Sequence, residues 1–394
     1  MKTSKIFRGD KVIWVVFLLL SIISLVEVYS SIGLYAYSLP GSHPTGLFLK
    51  HLAIVIATYI AIIFISRINY RYFSRFAMLA YWITLVLLAV MLMLHGGRWL
   101  QFHGFQFQPS EIAKVVLIIF VARMLAVKKD HVTELGTFLQ LLIYIVLVVV
   151  LILPENFSMA ALIFMVCYLM LIIGGVRRSY WWRLLFALLL VGGVAMFVMV
   201  KTGTNDTQST DGDDVLHRSG IWAERVDNWL HPNDTILSQE NMAKMAIARG
   251  GGFGAGIGNT VHARLMTQAH NDFIYAIIIE ETGMIGGIVV FLLYSILYFR
   301  CIRLAWRCKG KFGALTVVGL GTIIYLQALT NMCVAVGVLP VTGQTLPFIS
   351  YGGTAYLFLG CGLGVIQSVA DDVYGSEKKR TEQKSMELNS TEQV

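Results

Sequence analysis

Charged residues are scarce in this 394-residue chain, in which Asp, Glu, Lys and Arg together make up 14% of the sequence. A soluble globular protein carries about 25%. Hydrophobic residues make up 57% of the chain, and the mean hydropathy is +0.70. The shortage of charge excludes an ordinary soluble domain and predicts an integral membrane protein.

Cysteine and nucleotide-binding motifs are also lacking. The five cysteines form no CxxC pair, so neither a disulfide framework nor a zinc site is indicated. The glycine-rich run Gly250–Gly258 has no GxxxxGK[ST] pattern and no preceding strand, which excludes a P-loop and a Rossmann fingerprint. It is either a tightly packed loop or a backbone nest that approaches phosphate. The formal charge of +8 is explained by the placement of Lys and Arg around the membrane, and no nucleic-acid partner is expected.

Apolar runs of bilayer-spanning or nearly spanning length fill most of the sequence. They are Val12–Ile32, Leu47–Ser66, Phe76–Leu94, Ile112–Val127, Phe138–Leu153, Met159–Gly174, Trp181–Val200, Phe273–Phe299, Ala314–Val336 and Thr354–Val369. The basic segment before the first run has no small-residue cleavage site, so that run is interpreted as an uncleaved span. The pair around Pro154–Ser158 is interpreted as two spans with a tight turn, the alternative being a re-entrant hairpin.

Lys and Arg are concentrated in alternate connections, which places both termini in the cytoplasm. The predicted fold is an all-α integral membrane protein of about ten transmembrane helices with one large extracytoplasmic loop. The membrane domain covers residues 1–371 and includes that loop, 201–271. The charged tail, 372–394, is predicted to be disordered. The absence of an internal repeat disfavours repeat-built transporter folds.

Asp272 is the first candidate for chemistry, because the polar loop ends there and an apolar helix begins. A carboxylate at this outer position can meet both water and a lipid head group. The structural alternative is that Asp272 caps the helix by accepting hydrogen bonds from its free backbone N–H groups, and His270 or Asn271 could share this role. Glu280 and Glu281 are expected two turns deeper in the membrane than Asp272, roughly 12–13 Å further along a straight helix. Carboxylates in an apolar span are functional candidates by default, and pairing with an Arg is the structural alternative.

Two further polar stretches stand out. Pro109 and Ser110 mark a helix start, with Glu111 in the first turn and Lys114 on the same side. Glu111 and Lys114 are predicted to form a local ion pair, or else Arg98 and Lys114 bind an anionic head group such as a pyrophosphate. The stretch Leu339–Thr354 contains two prolines and three glycines, which forbid a regular helix. It is expected to fold back over the bundle near Asp272, against protein or a water-filled cavity.

These stretches together resemble the SEDS family (shape, elongation, division and sporulation), whose branches include FtsW, RodA and SpoVE. The resemblance runs from the first span to Val369. Its most specific match is LPVTGQTLPFISYGGTAYL, with Asn331 and Gly337 upstream, followed by QPSEIAK and HNDFIYAIIIEETGMIG. Gln344-Thr345 resembles the division branch (FtsW) more than the elongation branch (RodA).

The resemblance implies a peptidoglycan glycosyltransferase that polymerises lipid II in the bacterial cytoplasmic membrane, at the division septum. It also implies a class B penicillin-binding protein and other division proteins as partners. Asp272 matches the family's essential aspartate. Substrate-binding roles are expected for Arg98, Glu111, Lys114, Arg249, His270 and Ser350. No metal ligands are assigned, although a divalent cation, Mg²⁺ or Mn²⁺, is a candidate cofactor.

The sequence departs from the family pattern at three places. Thr267-Gln268 stands where Pro-Glu is usual, Asn271 replaces a common Thr, and Pro154–Ser158 replaces a P-D-x-G-T run. A mechanism that requires a second loop carboxylate at Gln268 is therefore not expected here. Asp272 is predicted to act alone as general base on the acceptor hydroxyl. The rival functions are a lipid II transporter (flippase), a non-catalytic scaffold of the division machinery, and an elongation role.

Overall fold

The computed structural model describes residues 7–31, 43–93, 100–102, 105–184, 186, 229, 238–266 and 271–391. Arg98, His270, Gln268 and most of the predicted outer loop 201–271 lie outside these residues. The helices, in chain order, are α1 (Lys11–Ser31), α2 (Pro44–Arg67), α3 (Tyr70–Met93), α4 (Pro109–Val127), α5 (Leu135–Ile152), α6 (Phe157–Ile173), α7 (Gln239–Gly250), α8 (Ile274–Arg307), α9 (Lys311–Ala335) and α10 (Gly353–Thr391). A short antiparallel hairpin, β1 (Leu100–Phe102) and β2 (Phe105–Phe107), precedes α4.

The all-helical membrane architecture is confirmed. In the described ranges, seven helices are long and apolar enough to cross a bilayer: α1, α2, α3, α5, α8, α9 and α10. The helix α4 carries three charged residues and is buried among the others, and α6 is a shorter apolar helix of 17 residues. Every predicted span except the seventh coincides with a helix, and that one, Trp181–Val200, falls largely outside the described residues. The run around Pro154–Ser158 forms two helices, with the side chain of Asn156 capping α6 through the Met159 amide at 3.1 Å.

Small residues bring the helices of the core together. A Cβ added at Gly364 of α10 would lie 2.9 Å from the side chain of Ile65 in α2, and one added at Gly319 of α9 would lie 2.6 Å from Met170 of α6. Between helices in lipid, where apolar side chains gain nothing by leaving the solvent, such close backbone approach supplies the packing energy. The bundle is therefore closed around α4, α9 and α10, the helices with the largest share of buried residues along their length.

The inner end of the bundle is joined by one buried carboxylate, Asp10. It caps α1 through the amide of Val12 at 2.8 Å and accepts hydrogen bonds from Arg300 Nε at 2.8 Å and Tyr374 Oη at 2.6 Å. Its backbone amide and carbonyl both bond to the side chain of Gln367. Asp10 thus ties α1, α8 and α10 together at the end that the Lys and Arg distribution assigns to the cytoplasm.

The last helix is longer than a bilayer needs. At 39 residues α10 extends about 58 Å, against about 30 Å for the hydrocarbon core. It continues through residues 372–391, which the charged composition predicts to be disordered. Ten of these twenty residues are Glu, Lys, Arg, Gln, Met or Leu, which are good helix formers that a preceding rigid helix can nucleate.

Candidate active site

The helix that follows Asp272 is not one straight span. Gly283 has φ 75° and ψ −177°, so α8 breaks there into a first half, 274–282, and a second half, 284–307. The Tyr275 hydroxyl donates to the carbonyl of Gly287 at 3.2 Å, although residues twelve apart in a straight helix are separated by about 18 Å. The first half therefore folds back against the second. We call this broken helix the α8 hairpin.

The glycine-rich run holds the break open. The amides of Ala255 and Gly256 donate to the carbonyls of Glu280 and Glu281, at 2.8 and 2.9 Å, and Met284 N donates to Gly251 O at 2.9 Å. A side chain on Gly283 would collide with the backbone of this loop. The run is a tightly packed loop that satisfies the backbone groups freed by the break, which is one of the two predicted alternatives. The other, a phosphate nest, is not needed to explain its glycines.

The hairpin reverses the expected order of depth. Glu281 accepts a hydrogen bond from Ser30, one residue before α1 ends, whereas Ser24 of α1 donates to Ile349 O at 2.7 Å. Ser350, the next residue, donates to Asn271 O at 2.6 Å. Ser24 and Ser30 are about 9 Å apart along α1. The expectation that Glu280 and Glu281 lie deeper than Asp272 is therefore wrong, since it assumed a straight helix.

Asp272 lies at the foot of the hairpin, in the outer half of the bundle. Phe273 occupies the N-cap position of α8, directly after Asp272, and the Phe273 side chain makes no capping hydrogen bond. Asp272 is partly buried, whereas Phe273 and Ile274 after it are completely buried. The residue that carries the carboxylate is therefore mounted beside a rigid, buried element and remains partly accessible.

The backbone beside Asp272 is fixed by polar side chains from two other elements. Asn331 of α9, which is buried, donates through Nδ2 to the carbonyls of Asp272, at 2.9 Å, and Gln344, at 2.7 Å. Ser350 accepts from the Leu346 amide at 2.8 Å in addition to its bond to Asn271. In the structure, the Ser350 hydroxyl fixes Asn271, the residue before Asp272. The predicted role of Ser350 as a substrate ligand stays a prediction.

The loop between α9 and α10, residues 336–352, enters the bundle as the sequence predicts. The Tyr294 hydroxyl donates to the carbonyl of Pro347, and Phe348 packs edge-on against Phe17 with ring centroids 5.2 Å apart. Phe348 has φ 61°, a conformation that costs of order 1–3 kcal/mol for a non-glycine residue. Irregular backbone at this depth persists only where protein or a cavity covers its polar groups. Here side chains of α1, α8 and α9 cover them.

A buried ion pair adjoins the same loop. Lys114 and Glu111 of α4 form the predicted ion pair, with side chains 0% and 4% exposed. Lys114 Nζ also donates to Gln327 Oε1 at 2.9 Å, and Gln327 Nε2 donates to Thr345 O at 3.0 Å. The pair is therefore connected to the loop that positions Asp272. Any contact of Lys114 with an anionic substrate would have to compete with these partners.

The predicted ligand Arg249 belongs to a second cluster at the outer end. Its Nη1 lies 2.7 Å from Glu280 Oε1, and Glu280 also accepts from Thr260 Oγ1 at 2.6 Å and contacts His262 Nδ1 at 2.9 Å. The pairing of Glu280 with an arginine is the structural alternative that the sequence left open. Arg249 remains 38% exposed and has a second bond to Asn259 O. Its role toward substrate stays a prediction.

Sequence reasoning missed the buried acid Glu27, as it missed Asp10 at the inner end. Glu27 lies in α1 and is 2% exposed, yet its apolar neighbours in the sequence hid it among the residues of the first span. The signal was present, because a carboxylate inside an apolar run is expensive and calls for a partner. In the described part of the chain, no group of three or more His, Cys, Asp or Glu residues is placed to hold a metal ion.

Known proteins share both the sequence and the fold. The family model described as "Cell cycle protein", FtsW/RodA/SpoVE, matches residues 10–374. "Probable peptidoglycan glycosyltransferase FtsW" of Geobacter sp. (strain M18) is 31% identical over 284 residues, which cover 71% of this chain and 73% of that protein. The protein of the same name from Trichlorobacter lovleyi is 29% identical over 383 residues, covering 94% and 95%.

A solved structure gives the same result for the fold. It is described as "Structural coordination of polymerization and crosslinking by a peptidoglycan synthase complex", and one of its chains superposes with a TM-score of 0.70 at 24% identity. The match covers 93% of this chain and 98% of that one. The bundle, its broken eighth helix and its re-entrant loop are those of a multi-pass membrane protein, and this chain belongs to the FtsW/RodA/SpoVE family.

Proposed function

We propose that this chain is a peptidoglycan glycosyltransferase that polymerises lipid II, with Asp272 as the general base. The observation that carries the proposal is the placement of Asp272. Asp272 is a partly accessible acid at the foot of the α8 hairpin, and Asn331 and Ser350 fix the backbone at Asp272 and at Asn271 before it. Broken helices and re-entrant loops in membrane proteins typically surround a substrate site. The names of the FtsW relatives support the same chemistry.

The reaction is a single displacement. The 4-hydroxyl oxygen of the acceptor sugar attacks the anomeric carbon of the donor, and its proton passes to the Asp272 carboxylate. The bond from the anomeric carbon to the pyrophosphate oxygen breaks, so polyprenyl pyrophosphate leaves with the electron pair and the anomeric centre is inverted. A positioned base contributes typically 10²–10⁴-fold. No second carboxylate is required, which agrees with glutamine at position 268.

The leaving pyrophosphate needs positive charge. Lys114 is one candidate for this charge, because Gln327 connects its ammonium group to the loop beside Asp272. Arg98 is the proposed second source. A divalent cation, Mg²⁺ or Mn²⁺, is also proposed here. Mg²⁺ is usually bound by one or two carboxylates together with substrate phosphates and water. Asp272 would be the protein ligand of such an ion, and the pyrophosphate of the substrate would supply most of the others. The ion would supply charge stabilisation as the bond breaks.

The test is polymerisation of lipid II by purified protein. Asp272→Asn is expected to abolish both glycan formation and release of polyprenyl pyrophosphate while leaving thermal unfolding unchanged. Glu134→Gln is the matched control, since the side chain of Glu134 is exposed and pairs with His131 on an inner turn, far from Asp272 in the part of the chain that the structure describes. Full activity of Asp272→Asn would remove Asp272 from its role. Movement of lipid II without release of pyrophosphate would favour a transporter instead.

The structure bears on the transporter alternative. That model relies on polar groups at mid-membrane, and Glu280 and Glu281 were its candidates. Both lie near the outer end, beside the turn of the α8 hairpin, and Glu280 is held by Arg249. The polymerase is therefore the better-supported function, and a non-catalytic scaffold role would be indicated if Asp272→Asn left growth unchanged.

Partner and location follow from the family. We propose a class B penicillin-binding protein as the partner, supported by a structural neighbour that belongs to a complex coordinating polymerisation and crosslinking. The FtsW names of the relatives support a division role at the septum of the cytoplasmic membrane, together with other division proteins, over elongation. The experiment is to run the polymerisation assay with and without the cognate penicillin-binding protein.

A further inference from the structure

A histidine of α2 is buried beside the re-entrant loop between α9 and α10. His51 is 0% exposed, and its ring lies against those of Tyr351 and Tyr356, with ring centroids 5.6 and 5.8 Å away. His51 Nε2 lies 2.9 Å from Ser24 Oγ of α1, and the Ser24 hydroxyl donates to the carbonyl of Ile349 at 2.7 Å. His51 therefore reaches the loop through Ser24.

The hydrogen atoms of this contact can be assigned. A serine hydroxyl has a single hydrogen, and that of Ser24 is used on Ile349 O. The bond between Ser24 and His51 must then be donated by the ring, which places a hydrogen on Nε2. His51 Nδ1 is buried and has no hydrogen-bond partner among the described residues. A protonated ring would bury an N–H donor there without an acceptor, so the neutral tautomer with hydrogen on Nε2 is the favoured form.

The hydroxyl of Ser24 crosses to the loop instead of bonding within its own helix. Ser21 and Ser31 of α1 each donate to the carbonyl four residues earlier in the chain. This back-bonding is common for serine inside a helix. Because His51 donates to Ser24 Oγ from the side of α2, the hydroxyl hydrogen of Ser24 is directed to the loop and not to the carbonyl of Leu20.

The bond that Ser24 donates is one end of a short path to Asp272. Ile349 O and Ser350 N belong to one planar peptide unit, whose N–H bonds back within the loop at 3.0 Å. This unit is therefore fixed at both its oxygen and its nitrogen. The Ser350 hydroxyl then donates to Asn271 O at 2.6 Å, directly before Asp272.

The same peptide unit adjoins the strained residue of the loop. Phe348 has φ 61°, which a non-glycine residue keeps only where its surroundings hold it. Without the bond from Ser24, the carbonyl of Ile349 would lose its donor, and the loop would lose a contact that holds Phe348 in this conformation. Ser350 would then be displaced together with the residues before it.

We propose that His51 is a positioning residue for polymerisation. Its Nε2–H directs the Ser24 hydroxyl onto the re-entrant loop, and the loop in turn holds the backbone beside Asp272. The inference rests on the proposed function, in which Asp272 is the general base. The property required at position 51 is a neutral donor at the place of Nε2. Glutamine carries its amide nitrogen the same number of bonds from Cα as His Nε2, whereas the amide nitrogen of asparagine is one bond closer.

The experiment compares lipid II polymerisation by the purified full chain and its variants in detergent. In His51→Leu, kcat should fall about 10- to 100-fold, because misplacement of a catalytic group by 1 Å can cost about 100-fold. KM should stay nearly unchanged. His51→Gln should restore most of kcat, and His51→Asn should not. Thr58→Val is the control, since the Thr58 hydroxyl is buried in the same helix and bonds to Ile54 O at 2.7 Å.

Ser24→Ala tests the path from the ring to the loop. It removes the same bond to Ile349, so its effect on kcat and that of His51→Leu should not add in the double variant. It also keeps the proposal testable if His51→Leu does not fold, since it deletes a single oxygen. Normal kcat in a folded Ser24→Ala protein would overturn the proposal, as would equal kcat in His51→Gln and His51→Asn.

¹⁵N NMR of histidine-labelled protein without substrate separates this inference from the proposed function. The His51 signals, identified by their absence from His51→Gln, should show a protonated Nε2 and an unprotonated Nδ1, and Ser24→Ala should shift the Nε2 resonance. A wild-type ring protonated on Nδ1 at neutral pH would overturn the inference whatever the activity of Asp272→Asn. Full activity of Asp272→Asn together with the expected His51 signals would instead overturn the proposed base and leave the bond from His51 to Ser24 confirmed.

Discussion

The side-chain nitrogen of Asn331 lies 2.9 Å from the carbonyl oxygen of Asp272 and 2.7 Å from that of Gln344. One amide group thereby joins α9, the re-entrant loop and the start of the α8 hairpin. All three elements meet in the outer half of the bundle, although Asp272 and Asn331 are 59 residues apart in sequence. The position of the proposed base therefore depends on a residue that need not touch the substrate.

Replacing Asn331 by Leu should lower activity by displacing Asp272. The change keeps the side-chain size but removes the donor to two carbonyls, and a buried acceptor that loses its hydrogen bond costs about 1–3 kcal/mol. We expect a lower thermal midpoint and a fall in kcat of about 100-fold, since misplacement of a catalytic group by 1 Å can cost that much. Thr330→Val is the control, because its hydroxyl bonds only to Leu326 within α9. Normal kcat in Asn331→Leu would show that Asp272 is held by other contacts.

Replacing Gly283 by Ala should prevent the α8 hairpin from forming. Gly283 combines a positive φ with contact against the backbone of the glycine-rich loop. Gly175→Ala is the matched control, since Gly175 has φ 90° and open space around it. In the control, the left-handed conformation should lower the free energy of unfolding by only about 1–2 kcal/mol. Gly283→Ala should lower it markedly more and yield little folded protein. Thermal unfolding in detergent measures both, and equal losses would mean that the loop contact contributes nothing.

Much of this architecture was readable from the sequence. Hydropathy located the helices, and the charges around Glu111 and Lys114 predicted their ion pair. The prolines and glycines of Leu339–Thr354 predicted a loop that returns to Asp272, which agrees with the structure. These features depend on local composition and on the cost of unsatisfied backbone in lipid, both of which a sequence displays.

The α8 hairpin could not be predicted in the same way. The run Phe273–Phe299 is apolar throughout and is compatible with one straight span. Its break depends on the sign of φ at Gly283 and on a loop more than twenty residues upstream that bonds to Glu280 and Glu281. Glu27 was overlooked for a related reason, since Glu281 reaches α1, at Ser30 one turn after Glu27, only after the hairpin has folded.

The thiol of Cys308 should react slowly below pH 9. Cys308 follows α8 at the inner end, and burial, with a smaller contribution from Asp372, raises the pKa of its thiol from 9.0 to about 11. Thiolate is the reactive form. Raising the thiol pKa from 9.0 to about 11 therefore lowers the alkylation rate at pH 8 about 100-fold. The measurement is alkylation by iodoacetamide against pH, with the other four cysteines replaced by Ser and the unfolded chain as reference.

Asp372→Asn tests the cause of this shift. Removing the nearby negative charge makes the thiolate less unfavourable, so the pKa of Cys308 should fall and the alkylation rate at pH 8 should rise. The rise should be only partial, because burial is the larger cause. A folded protein whose alkylation has a midpoint near pH 9 would contradict the buried position of this thiol.

The ion pair of Lys114 and Glu111 can be separated into a structural and a catalytic part by a double-mutant cycle. Lys114→Met alone leaves the buried Glu111 carboxylate without its cation and should cost about 3–5 kcal/mol of stability. Adding Glu111→Gln removes that orphaned charge, so the double variant should recover most of the lost stability.

If Lys114 also stabilises the departing pyrophosphate, activity should stay at least about 100-fold low in the double variant, because positioned charges of this kind are worth that much in a water-excluded site. Thermal unfolding and lipid II polymerisation are measured on all four proteins. Recovery of activity together with stability would show that Lys114 serves the fold alone, and that the charge for the leaving group comes from elsewhere.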